Sequence, residues 1–109
     1  MTVFKATTKE LLCGECGDVI ASVAGRVWPP KLEVTSVEGY PLTPVRAGVL
    51  VRQACEEGVP RARVDLLDRN AYELAYELRC RSGHKAVRLV PELARAIRAT
   101  KGRWVTLAE

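Results

Sequence analysis

A single histidine occurs in the 109 residues, so any catalytic triad that needs histidine has one residue to draw on. No apolar run approaches the roughly eighteen residues that mark a membrane span. The opening Met1-Thr2-Val3-Phe4-Lys5 lacks the basic-then-apolar pattern of a secretory signal. A soluble, cytoplasmic protein is therefore expected. There is no Gly-x4-Gly-Lys-Ser/Thr loop to cradle a phosphate. The zinc-deaminase pattern is not met, since no His-x-Glu occurs and no proline precedes Cys13-x-x-Cys16. What remains is ordinary globular composition, 48% hydrophobic and 28% charged, which argues against a disordered chain. The length suits one domain, and residues 1–109 are read as one.

Chemistry concentrates in four cysteines, Cys13, Cys16, Cys55 and Cys80, and in His84. In a cytosolic chain, closely spaced cysteines indicate a metal or redox site sooner than a disulfide. The pattern is Cys13-x2-Cys16, a gap of 63 residues, then Cys80-x3-His84. Tetrahedral zinc takes four donors at about 2.0–2.3 Å. Two donors two or three residues apart reach one ion only if the backbone between them folds into a tight knuckle. Gly17 and Gly83 can take the positive φ that such knuckles need. Cys55 is the rival fourth donor. It stands alone in an apolar stretch and reads as a buried free cysteine.

These residues resemble the zinc-ribbon class, in which two knuckles on β-hairpins share one zinc. Cys13, Cys16 and Cys80 match its cysteine positions, with His84 in the fourth place. The resemblance covers about residues 8–24 and 74–90, and the segment between them is a long insertion. The pattern also looks like small uncharacterised zinc-ribbon proteins of high-GC bacteria. It implies Zn²⁺ as cofactor in a structural role and no particular activity. A thioredoxin-like redox pair at Cys13 and Cys16 needs a helix after the motif. Asp18 to Val23 reads as a strand instead. A redox or hydrolytic enzyme using the Cys/His site is the alternative function. Four protein donors leave a zinc no open position for it.

Periodicity predicts an α+β chain with a small antiparallel sheet and about two helices. Strands are expected at 5–12, 18–24, 32–37, 72–80, 85–90 and 104–107. Between 72 and 80, Tyr72, Leu74, Tyr76, Leu78 and Cys80 alternate with polar residues, which predicts one buried face. Thr43-Pro44 reads as cap and first residue of a helix over 44–57, with Val45, Val49, Leu50 and Ala54 inward and Gly58 as the stop. Gly48 favours a rival strand there. Residues 61–71 fit neither period. Pro91-Glu92 opens a helix that runs to Gly102, with Leu93, Ala96 and Ile97 on its apolar side.

Charge is uneven. Residues 79–103 carry eight basic side chains against Glu92 alone. Arg95 and Arg98 lie on the face of the last helix opposite its apolar side, with Lys101 at the edge of that face, and Arg81 and Lys85 flank the second knuckle. Such a cluster suits phosphates or an acidic protein surface. The expected function is a non-enzymatic module that recognises nucleic acid or a transcription or replication protein. Neither a membrane nor a small-molecule substrate is expected. If the partner is a protein reached through apolar contact, Trp28, Tyr40 and Trp104 are the side chains to make it.

Overall fold

The computed structural model describes residues 6–26 and 31–107. It is α+β. Strands β1 (Ala6–Cys13), β2 (Val19–Arg26) and β3 (Lys31–Ser36) are followed by a short strand β4 (Val45–Arg46) and helices α1 (Ala47–Glu56) and α2 (Arg61–Arg69). Then come β5 (Leu74–Arg79), β6 (Lys85–Leu89), α3 (Val90–Ala99) and β7 (Trp104–Leu107). One sheet has the order β3-β2-β1-β7, antiparallel except that β7 runs parallel to β1. The other, β4-β5-β6, is antiparallel throughout. No helix among the described residues is long and apolar enough to cross a membrane.

The β5–β6 hairpin has a core on each side. Tyr76, Leu78, Cys80 and Ala86 pack with Leu11, Val23, Val105, Leu93 and Ile97. Ala75, Val87 and Leu89 face the other way, onto Leu50, Ala54, Val64 and Leu67 of α1 and α2. The alternation through β5 is thus real, but the expectation of a single buried face is corrected. Ala75 is small enough to pass under α1 and α2, while Tyr72 and Leu74, before the sandwiched part, are exposed.

α1 starts three residues later than Thr43-Pro44 suggests. Val45 and Arg46 are extended and pair with Ala75 and Leu74. The first helical amides, of Ala47 and Gly48, donate to the carbonyls of Glu73 and Ala71 at 2.8 and 2.9 Å, so the turn before β5 caps the helix in place of a side chain. This explains Gly48, where a Cβ would come within 3.0 Å of the Ala71 Cβ. The inward residues are Ala47, Leu50 and Ala54, and Val45 and Val49 are exposed. α2 fills the stretch that sequence periodicity leaves open. Only Val64 and Leu67 bury fully on it, between charged residues that mask the pattern.

α3 is held at both ends. Glu92 accepts the Leu89 amide at 2.9 Å and the Arg63 guanidinium at 2.5 Å, joining α2 to the first turn of α3. At the far end the buried Lys9 ammonium of β1 donates to the carbonyls of Ile97, at 2.9 Å, and of Thr100. A cation there satisfies carbonyls that the helix leaves free and opposes the negative end of its dipole. The helix ends at Ala99, where Thr100 turns extended, before the expected stop at Gly102.

Burial alone would raise the Glu92 carboxyl, but the Arg63 and Leu89 donors outweigh it and hold it below the ordinary value. A carboxylate depressed in the folded state stabilises above its unfolded pKa, and that stability is lost as pH falls through the folded value. Glu92→Gln should cost about 1–2 kcal/mol at pH 7, the scale of a charge-assisted hydrogen bond. Denaturant melts across pH should show the gap between variant and wild type closing below about pH 4.

Candidate metal centre

The two predicted knuckles share one backbone plan. In the first, the Cys13 amide donates to the Asp18 carbonyl (2.8 Å), and the Gly17 amide donates to the Cys13 carbonyl (2.9 Å). In the second, the Cys80 amide donates to the His84 carbonyl and the Gly83 amide to the Cys80 carbonyl, both at 3.0 Å. Gly17 and Gly83 take φ of +75° and +90°, a region that side chains disfavour. The knuckles close the β1–β2 and β5–β6 hairpins. A bulge helps aim the first. Leu11 and Leu12 pair with Ala21 and Val19, leaving Ile20 as the extra residue, and both Ile20 and Ala21 are buried.

Cys13, Cys16, Cys80 and His84 come together, with one donor atom from each lying within 4.8 Å of all the others. This group can hold a metal ion. The Cys16 and Cys80 sulfurs are 3.7 Å apart, and Cys80 Sγ lies 3.3 Å from His84 Nδ1. Tetrahedral zinc, with Zn–S about 2.3 Å and Zn–N about 2.0–2.1 Å, implies donor separations of about 3.8 Å between sulfurs and about 3.5 Å from sulfur to nitrogen. These two separations fit that donor set to within a few tenths of an ångström, and the whole group, within 4.8 Å, is a little wider than a closed tetrahedron.

Glu15 supplies what the cysteine pattern does not reveal. Its Oε2 lies 2.9 Å from His84 Nε2. With Nε2–H donating to the carboxylate, the Nδ1 lone pair is left facing the sulfurs. A carboxylate behind a ligand histidine fixes its tautomer and ring orientation. The only signal in the sequence is an acid inside the first knuckle, in a chain with one histidine.

Electrostatics explain why the cluster suits a cation. The Cys80 thiol is lowered to about 7. Burial opposes ionisation there, but the His84 and Ser82 amides, the Cys16 thiol and the His84 ring favour the thiolate. Cys16 is pushed up to about 11. The Asp18 amide favours its thiolate, but desolvation and the adjoining Cys13 and Cys80 sulfurs outweigh that donor. Adjoining thiols resist ionising together unless a cation offsets their repulsion. Metal binding must then displace protons, so affinity falls as pH falls.

Cys55 corrects its expected burial. It is exposed on α1 and outside the cluster. Among the proposed phosphate-binding residues, Arg81, Arg95, Arg98 and Lys101 are exposed. Lys85 is engaged instead, its ammonium paired with Glu57 and, at 3.0 Å, with Glu77. Trp28 lies outside the described residues, and Tyr40 and Trp104 are exposed. Comparison finds no matching protein-family model, no matching curated protein and no matching solved structure.

Metal analysis of protein purified without added zinc should give one ion per chain. Cys80→Ser should release it and Cys55→Ser should not. Chelation should lower the melting temperature substantially, since structural zinc contributes on the order of 10 kcal/mol in small domains. Competition with a chromogenic chelator should show Glu15→Ala binding zinc about 10- to 100-fold more weakly, the usual cost of losing a partner behind a ligand.

Proposed function

We propose that the chain is a non-enzymatic, zinc-ribbon-like module in which a structural Zn²⁺ fastens two hairpins and the outer side of α3 binds the phosphates of a nucleic acid. Three sulfurs and one imidazole would fill the four positions of a tetrahedral zinc, and that donor set carries the structural role. A cavity of about 220 Å³ beside the cluster, lined by Ile20, Ala86 and Leu107 as well as His84, is the feature that favours a hydrolytic alternative. Against that reading, a zinc held by all four protein donors would have no open coordination position.

The binding role rests on unpaired cations. Of the eight basic side chains in 79–103, Arg79 and Lys85 are paired with Glu77, and Arg103 with Glu10 at 2.8 Å. Arg88 is buried and donates to the Val87 carbonyl. Arg81, Arg95, Arg98 and Lys101 have no acidic partner among the described residues. Arg95 and Arg98 stand on α3 opposite the buried Leu93 and Ile97. Long flexible cations held on a rigid helix can reach phosphates, which position a protein without reading sequence.

A protein partner is the second reading, favoured by the exposed apolar side chains Val45, Val49, Tyr72 and Leu74 around β4 and the start of α1. Salt separates the two. Affinity for DNA or RNA should fall by roughly one power of salt concentration per phosphate neutralised. Arg95→Ala with Arg98→Ala should weaken unrelated sequences about equally and flatten the salt slope by roughly two units, with the melting temperature kept. Absence of binding near 50 mM salt, where such attraction is strong, transfers the function to the protein-partner reading.

A further inference from the structure

The four donors are unequally accessible. Cys13 and Cys80 are buried, His84 is half-buried, and Cys16 is exposed in the turn of the first knuckle. An oxidant arriving from solvent therefore meets the Cys16 sulfur first. The Cys80 sulfur lies within reach, 3.7 Å away on the other hairpin. A disulfide needs about 2.05 Å, a gap that rotation of an exposed side chain in a turn can close.

We propose that Cys16 is a peroxide-reactive site whose oxidation exchanges the metal for a Cys16–Cys80 disulfide. This rests on the zinc-module reading above. Cys16, which would be held as a thiolate while it serves as a metal ligand, attacks hydrogen peroxide. An S–O bond forms, the O–O bond breaks, and the departing hydroxide takes a proton to leave as water. A sulfenic sulfur is a poor ligand, so the ion loses one of its four donors and the Cys80 thiolate is freed. Cys80 then attacks the Cys16 sulfur. The S–S bond forms, the S–O bond breaks, and hydroxide leaves and is protonated to water. Two thiols and one peroxide give one disulfide and two waters.

The geometry gives this exchange a distinctive consequence. The new bond spans the same 64-residue separation that the ion spans, joining β1–β2 to β5–β6. A Cys13–Cys16 bond would cross-link only the first knuckle and leave the hairpins untied. The oxidised protein should therefore lose its metal yet melt at a higher temperature than reduced, chelated protein, because a cross-link closing a long loop restricts the unfolded chain.

Hydrogen peroxide titrated into zinc-loaded protein tests this, with released zinc read by a chromogenic chelator and products by non-reducing peptide mass spectrometry. The expected result is one zinc released per chain, loss of about two hydrogens in mass, and a linked peptide pair containing Cys16 and Cys80. Cys55→Ser should behave identically, and dithiothreitol with added zinc should restore the starting state. A Cys13–Cys16 link, oxidation confined to Cys55, or zinc retained while peroxide is consumed overturns the inference and leaves the zinc module standing. Protein that purifies without metal overturns the zinc module, and this inference with it.

Discussion

The meeting of Cys16 and Cys80 is the constraint on which the rest of the arrangement depends. These residues lie 64 apart in sequence, and their sulfurs are 3.7 Å apart. Each hairpin must reach that point in a fixed register. On β1, Cys13 buries on the same face as Leu11 and Lys9. On the second hairpin, Cys80 continues the face of Tyr76 and Leu78. A slip of one residue on either strand would turn the donor to the opposite face together with the apolar side chains beside it. Donor placement and core placement are thus one requirement. This is how a long insertion can be tolerated between the knuckles: α1, α2 and β4 attach to the far side of β5–β6 and leave the face that carries Cys80 unchanged.

Charged groups brace the same region from both sides. Glu15 orients the His84 ring from the first knuckle. The neighbouring Lys85 is held by Glu77 on β5 and by Glu57 just past the end of α1. The Lys85 ammonium is the first cause holding Glu57 below its ordinary value, with the Gln53 amide adding to it. The loop after α1 is thereby tied to the residue next to a metal donor. Lys9 does comparable work deeper in the fold, where its ammonium joins β1 to the carbonyl end of α3. A buried lysine is tolerable only because helix carbonyls receive its protons.

The parts of this molecule legible in sequence are those with a local rule. Two donors close in the chain with a glycine beside them specify a knuckle, and a knuckle specifies the hairpin that carries it. Pro91 and Glu92 announce α3 because capping is a first-turn matter. What escaped has non-local causes. α2 exposes most of its length, so its apolar period reduces to Val64 and Leu67. β4 and the late start of α1 depend on carbonyls of Ala71 and Glu73, more than twenty residues downstream. The cation that meets the end of α3 is Lys9, from the opposite end of the chain. Glu15 and Lys85 follow the same logic. Glu15 reads as an ordinary surface acid until the knuckles are brought together, and Lys85 as a free cation until the end of α1 and β5 bring Glu57 and Glu77 to it.

Pairing also changes what the basic composition means. The chain carries a formal +4, and three thiolates with one Zn²⁺ would reduce it to +3. A field that weak, spread over the molecule and screened within about 8–10 Å at physiological salt, steers little. Acidic partners then remove Arg63, Arg79, Lys85 and Arg103 from the supply of free cations. Within 79–103 what remains is local: Arg95 and Arg98 on the outer side of α3, Lys101 just beyond its end, and Arg81 in the second knuckle. Helix dipoles ordinarily make a C-terminal end hostile to phosphate. Here the Lys9 ammonium already occupies the carbonyls of Ile97 and Thr100 from the buried side. An inward cation opposes the helix-end dipole, so under the proposed function a phosphate approaching Arg95 and Arg98 would meet less repulsion there.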